Sequence, residues 1–210
     1  MHEPHHVGAD RQLFLDDVII ETMTGARRKL HEPVRREKVI LPEHPWEAHL
    51  AIHTQQFADG EGYRMVYGCA AGDPDSGNPR VTAMAESDDG ITWTKPILDV
   101  VELNGSTKNN LLWKGPGKNV AVFLDENPDA TGEAKYKAIA RGDRASDGED
   151  TLLAMSSPDG IHWRLMWNEP IFNDGPFDTH NIAFWDTWRK EYVLYARSAH
   201  GVGNFKGGAR

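Results

Sequence analysis

Acidic, amide and histidine side chains gather at four places in this 210-residue chain. Glu47 follows Pro45-Trp46 and precedes His49. Asn109-Asn110 follow Lys108, Asp178 precedes His180 and Asn181, and Asp16-Asp17 lie near the start. Two carboxyl groups facing one another across a cleft can divide proton donation and nucleophilic attack between them. Amides can bind a ligand's hydroxyl groups but cannot act as a general base. Each acid also has a plain structural role open to it. Glu47 could accept from turn amides, Asp178 could cap a turn before an Asn181 strand, and Asp16-Asp17 could end a solvated strand. His49 and His53 share a strand face by period two, and His180 could complete a metal set. Histidine pairs are more often structural, so neither a metal nor another cofactor is assigned.

Composition narrows the classes of partner. The net charge of −9 argues against a nucleic-acid backbone, which calls for basic patches. It argues equally against anionic membrane lipid. No phosphate-cradling glycine loop, no Gly-x-Ser-x-Gly elbow and no His-Glu-x-x-His element occurs. Cys69 is the single cysteine, so no intrachain disulfide can form, and it reads as a small apolar strand residue. The stretch from Met1 to His6 lacks a signal peptide's apolar run, which points by default to the cytoplasm, although a trimmed start would read the same. Residues 1–12 read as loosely attached.

The elements that must position these groups follow from a repeat. Ser87-Asp88-Asp89-Gly90-Ile91-Thr92-Trp93 returns as Ser157-Pro158-Asp159-Gly160-Ile161-His162-Trp163, roughly 70 residues later. An apolar run precedes each copy, so each reads as strand, Asp-Gly turn and Trp-bearing strand. Asp89 and Asp159 are turn residues in this reading, and Trp93 and Trp163 seal the space between sheets. Apolar periodicity is two along 50–57, 63–67, 119–124, 136–140, 181–185 and 192–196.

These runs predict an all-β chain, a β-propeller of four-stranded antiparallel blades. One blade runs from about 46 to 98, a second from about 109 to 171, and a third opens at 177. The segment 13–21 reads as a strand of the closing blade. A ring needs at least about four blades, and this chain carries about two and a half, so it looks interrupted. Self-association through the unfinished blades is the partner expectation that follows, since open edges and exposed inner faces favour it.

The pattern resembles the five-bladed propeller glycosidases, the broad group of invertases, levansucrases, arabinanases and xylosidases. The resemblance rests on Leu13-Phe14-Leu15-Asp16-Asp17, Pro45-Trp46-Glu47, Tyr63 to Tyr67, Ser87 to Trp93, Asn104-Gly105-Ser106, Phe177 to Asn181 and Phe184-Trp185-Asp186. It implies acids at the beginnings of the inner strands of successive blades. Carried over by position, Asp178 and Glu47 become the catalytic pair. Asn109, Asn110, His180, Asn181, His49, Arg64 and Trp46 become substrate contacts, with Trp46 stacking on a sugar face. The second blade departs from the group's pattern by offering amides where an acid belongs. Sialidases resemble the chain less closely. Their boxes carry a residue between Asp and Gly, and their arginine triad would fall on Arg64, Arg141 and Arg197.

Three functions follow from this resemblance. The first is hydrolysis of a glycosidic bond by Asp178 and Glu47, with carbohydrate as the partner. The second is a propeller surface that binds glycan or protein without chemistry. The third is an inactive remnant.

Overall fold

The computed structural model describes Gly8 and residues 13–60, 62–70, 80–142 and 150–197. The chain divides into two units, Met1–Lys38 and Val39–Arg210.

The first unit contains no strand among its described residues. Asp16 Oδ1 instead accepts from the Val18 amide at 3.0 Å, and the Ile20 amide donates to Asp17 O at 3.1 Å. Arg28 pairs with Asp17 at 2.7 Å. The expected strand over 13–21 is therefore a correction. A strand needs a neighbour to satisfy its backbone groups, and these turns satisfy them locally instead.

The second unit is all-β, built from propeller-type antiparallel blades. The first sheet is a meander of β1 (His49–Asp59), β2 (Gly62–Ala70), β3 (Arg80–Ser87) and β4 (Leu111–Trp113). The second comprises β5 (Lys118–Leu124), β6 (Tyr136–Arg141), β7 (Asp150–Ser157) and β8 (Arg164–Leu165), with β9 (Phe172–Gly175) also on β7. The third is the ribbon of β10 (Ile182–Asp186) and β11 (Glu191–Tyr195). Every pairing is antiparallel.

The fourth strand is split in both full sheets. In the first, Thr94 bridges to Glu86, and β4 then pairs with Thr82 and Ala83. In the second, β8 pairs with Met155 and Ser156, and β9 with Asp150 and Leu152. The connection between the two pieces runs from Lys95 to Asn110 in the first sheet. In the second it runs only from Met166 to Ile171. This extends the first blade past the expected end near 98. Asn109 and Asn110 lead into its last strand, whereas they were expected to open the second blade.

Both copies of the repeated turn are held alike. Ser87 Oγ accepts from the Gly90 amide at 2.8 Å, and Asp89 Oδ1 accepts from Ile91 and Thr92 at 2.7 Å each. Ser157 and Asp159 do the same for Gly160, Ile161 and His162. The amides of Thr92 and Ile91 hold the Asp89 carboxyl down at about 2. Burial opposes the same effect at Asp159, where bonds from His162 and Ile161 still carry the carboxyl far below its usual range. Each Trp Nε1 donates back to the turn glycine's carbonyl, at 3.2 Å for Trp93 and 2.9 Å for Trp163.

Three apolar layers stack along the unit. Met65, Tyr67, Cys69, Val81, Ala83, Ala85 and Leu111 fill one face of the first sheet, with Trp93 against them. Val66, Met84 and Leu112 meet Val120, Val122, Ala138 and Met155 between the first and second sheets, with Trp163 against them. Phe123, Ile139 and Leu152 meet Phe177 and Ala183 between the second and third. Middle strands are apolar on both faces, so β7 is buried along its whole length and shows no alternation. Tyr192 fastens the third sheet to the second. Its hydroxyl donates to Asp125 Oδ2 at 2.8 Å, and Asp125 is also paired with Lys137.

The repeat supplies its own control on sequence. Gly90 and Gly160 share a left-handed backbone, φ +74° and +76°. A Cβ at Gly90 meets only Tyr63 at 3.7 Å, while at Gly160 it meets Arg64 Nη1 at 2.6 Å. That guanidinium donates to Asp159 O at 2.6 Å. Both Gly→Ala changes cost about 1–2 kcal/mol in backbone strain, and Gly160→Ala is expected to cost about 1 kcal/mol more for the displaced hydrogen bond. Urea unfolding of the two variants, compared at one pH, measures the difference.

Candidate functional site

Glu47 ends a 3-10 turn, Pro45–Glu47, just before β1. Its side chain has no solvent exposure. Oε2 accepts from the Glu43 amide at 2.9 Å, the His44 amide at 3.1 Å and Lys95 Nζ at 2.8 Å. Oε1 accepts from the Tyr67 hydroxyl at 2.6 Å. Tyr67 accepts in turn from Asn110 Nδ2 at 2.7 Å, and Asn110 Oδ1 accepts from Trp46 Nε1 at 2.9 Å. Burial alone would raise the Glu47 carboxyl, but bonds from Lys95, Tyr67 and the Glu43 amide hold it below its ordinary 4.5. Burial and then the Glu47 charge push the Tyr67 phenol far up, and they push the nearby Cys69 thiol to about 12. This group of residues is an enclosed ion pair with its hydrogen bonds filled.

A second polar group lies where the inner strands of the three sheets begin. β1 and β10 both pack against β5. His53, from β1, lies with its ring centroid 5.6 Å from that of His180, which precedes β10. Asn119, from β5, donates to the backbone oxygen of Asp178 at 3.3 Å. The Asp178 carboxylate is half-exposed and ion-paired with Arg197. Burial, with His53 second, lowers the His180 pKa, so the ring stays neutral near pH 7. Among the described residues its enclosed Nε2 has no hydrogen-bond partner, and neither has Oε1 of Gln55, two residues beyond His53 on the same face of β1. An enclosed nitrogen with no partner is costly unless something supplies one.

The expected site residues divide between these surroundings. Asp178 and His180 belong to the second group. His49 lies beside it, lining a cleft of about 40 Å³ with Arg80, Lys118 and Asn119, room for a few waters. Glu47, Trp46 and Asn110 belong to the enclosed network, and Trp46 also stacks on His44 at 4.6 Å. Asn109 donates to Val101 O at 2.8 Å and accepts from the Leu111 amide at 3.0 Å, which shapes the entry to β4. Asn181 is buried, donating to Phe177 O and Thr179 O at 3.1 Å each and accepting from the Arg197 amide. Arg64 bridges Asp59 and the carbonyl of Asp159, joining the first two sheets. Asn119 and Gln55 were not expected as site residues, and Arg197 was expected only in a sialidase-like arginine triad. The period-two face of β1 was the available signal for Gln55, whereas Arg197 reaches Asp178 only through the return of β11. Among the described residues, no three of His, Cys, Asp and Glu converge as a metal requires.

No family model and no curated protein matches the chain. Among solved structures it aligns with a glycoside hydrolase at 14% identity and TM-score 0.46, covering 74% of this chain and 54% of that one. A complex of BT0996 with RGII aligns at 13% identity and TM-score 0.44, over 73% of this chain and 53% of the other. A fructofuranosidase from Schwanniomyces occidentalis, complexed with fructosylnystose, aligns at 12% identity and TM-score 0.44, over 64% and 26%. The chain thus spans about half the length of the first two and about a quarter of the third.

The enclosed ion pair has a measurable signature. Lys95→Met leaves a buried carboxylate without its cation and is expected to cost about 3–5 kcal/mol, while Glu47→Gln with Lys95→Met costs less than Lys95→Met alone. The folded Glu47 binds its proton less readily than the unfolded chain does. Its contribution is therefore complete above about pH 4.5 and is lost as pH falls through the lower folded value. Acid titration of stability is expected to be shallower in Glu47→Gln, as read by urea midpoints between pH 7 and 3.

Proposed function

We propose that this chain recognises carbohydrate where its inner strands begin, with Asp178 as the carboxyl group that meets the ligand. One observation carries the reading. His53, Asn119 and the Asp178–His180 segment come from three successive sheets and lie side by side, and His180 Nε2 is enclosed there with no partner among the described residues. A neutral ring nitrogen, amides and a half-exposed carboxylate offer both donors and acceptors at short range. A hydroxyl-rich ligand matches that mixture, since each hydroxyl both donates and accepts.

Hydrolysis of a glycosidic bond is the second reading, favoured by the Asp178 carboxylate, which is oriented by Arg197 and open to solvent. It needs a second carboxyl group about 5–10 Å away. Glu47 could supply it only by leaving Lys95 and Tyr67. Hydrolysis with Asp178 and Glu47 therefore requires a rearrangement that carbohydrate binding does not.

Calorimetric titration with a panel of neutral oligosaccharides tests both readings, alongside turnover of aryl glycosides. Asp178→Asn is expected to weaken binding by about tenfold or more, about 1.4 kcal/mol, with the melting temperature kept. Turnover by the parent chain that vanishes in Asp178→Asn selects hydrolysis. A folded parent chain that binds no member of the panel overturns the carbohydrate reading.

A further inference from the structure

A groove of about 360 Å³ opens on the outer side of the first two sheets, at their fourth strands. It lies among β4, the Lys95–Asn110 connection and Ile161, His162 and Trp163 after the second repeated turn, and none of the inner-strand residues described above lines it. Trp113 and Trp163 both line it, one from each sheet, and both are partly exposed. Each indole N–H is already spent. Trp113 donates to Pro116 O at 2.8 Å and Trp163 to Gly160 O at 2.9 Å. The indoles therefore offer the groove apolar surface and no donor.

The rim is polar and mixed in sign. Lys114 gives one of its three N–H groups to Glu102 O at 3.2 Å, Glu102 uses Oε1 on the Gly105 amide, and His162 uses Nδ1 on Asp159. Two ammonium protons, the second Glu102 oxygen and His162 Nε2 are left unengaged among the described residues. A cation and an anion on one rim disfavour a strongly charged occupant.

The repeat shows how the wall arose. The second sheet joins the pieces of its fourth strand with Met166–Ile171 alone, whereas the first uses the longer Lys95–Asn110. In that longer segment Val101 and Leu103 pack on the core, and Val100, Val101 and Glu102 line the groove.

We propose that this groove is a second carbohydrate-binding site, taking one neutral sugar ring with its C–H face on the two indoles and its hydroxyls on Lys114, Glu102 and His162. Its size suits a small ligand, and an apolar floor with a few convergent polar groups is the usual composition of such sites. Indole surface suits the apolar face of a ring whose edge is polar. The assignment rests on this groove alone, independently of the reading of Asp178.

Indole N–H resonances of Trp113 and Trp163 report on it directly. The probes are methyl pyranosides of glucose, galactose, mannose and xylose, together with a capped Leu-Phe dipeptide, each titrated into the whole chain. At least one glycoside is expected to shift both resonances saturably. Glu102→Gln and His162→Ala should each weaken that binding at least about fivefold, with indole spectra of the free variants unchanged, and Asp178→Asn should leave it intact. The proposal is overturned if no glycoside moves the two resonances, if the dipeptide binds there and the glycosides do not, or if neither rim variant alters the affinity. Loss in Asp178→Asn would also overturn it, by placing the binding at the inner strands.

Discussion

A carboxylate sealed from water must be matched by donors, and Glu47 is matched four ways. Two backbone amides, an ammonium and a phenol converge on it from the turn before β1, from the Lys95–Asn110 connection and from β2. Removing both charges from water is expensive, and the return depends on every partner being in place. The network therefore fixes where the turn, β2 and the connection meet. Lys95 adds a bond to Leu41 O at 2.6 Å, which draws the chain ahead of the turn into the same arrangement. With Asn110 and Trp46 attached, the whole outer face of the first sheet is pinned by one polar centre set in apolar surroundings.

The repeated turns show what local chemistry can specify. Ser, Asp and Gly at fixed offsets satisfy their own amides, so the turn could be read from sequence alone; Trp163 sits between two sheets as expected, whereas Trp93 packs on one face of the first sheet. The strands over 119–124 and 136–140 were equally plain, because period-two patterns need no distant partner to be recognised. The all-β expectation holds for the same reason.

What could not be read depends on distance along the chain. Lys95 lies 48 residues from Glu47, and nothing near either residue announces their pairing. Glu47 and Asp178 look alike as acids just ahead of inner strands, yet one is enclosed and the other open. Asn109 and Asn110 sit between two sheets in sequence, and only the register of β4 assigns them to the first. Arg64 occupies a strand position suited to a ligand, but its guanidinium is spent on Asp59 and on a turn 95 residues away. The 13–21 segment has strand-like composition without a strand beside it, and composition alone makes no ladder.

Because every ladder joins segments that follow one another closely in the chain, the sheets can assemble in the order in which a ribosome releases them. The first sheet can complete its own backbone bonds early. Its inward face stays wet until β5, β6 and the second turn emerge, since Trp163 and the Asp159 carbonyl that caps Arg64 come from there. Each emerging blade thus dries and closes the one made before it, and the last ribbon to appear on the described chain, β10–β11, does this for the second sheet.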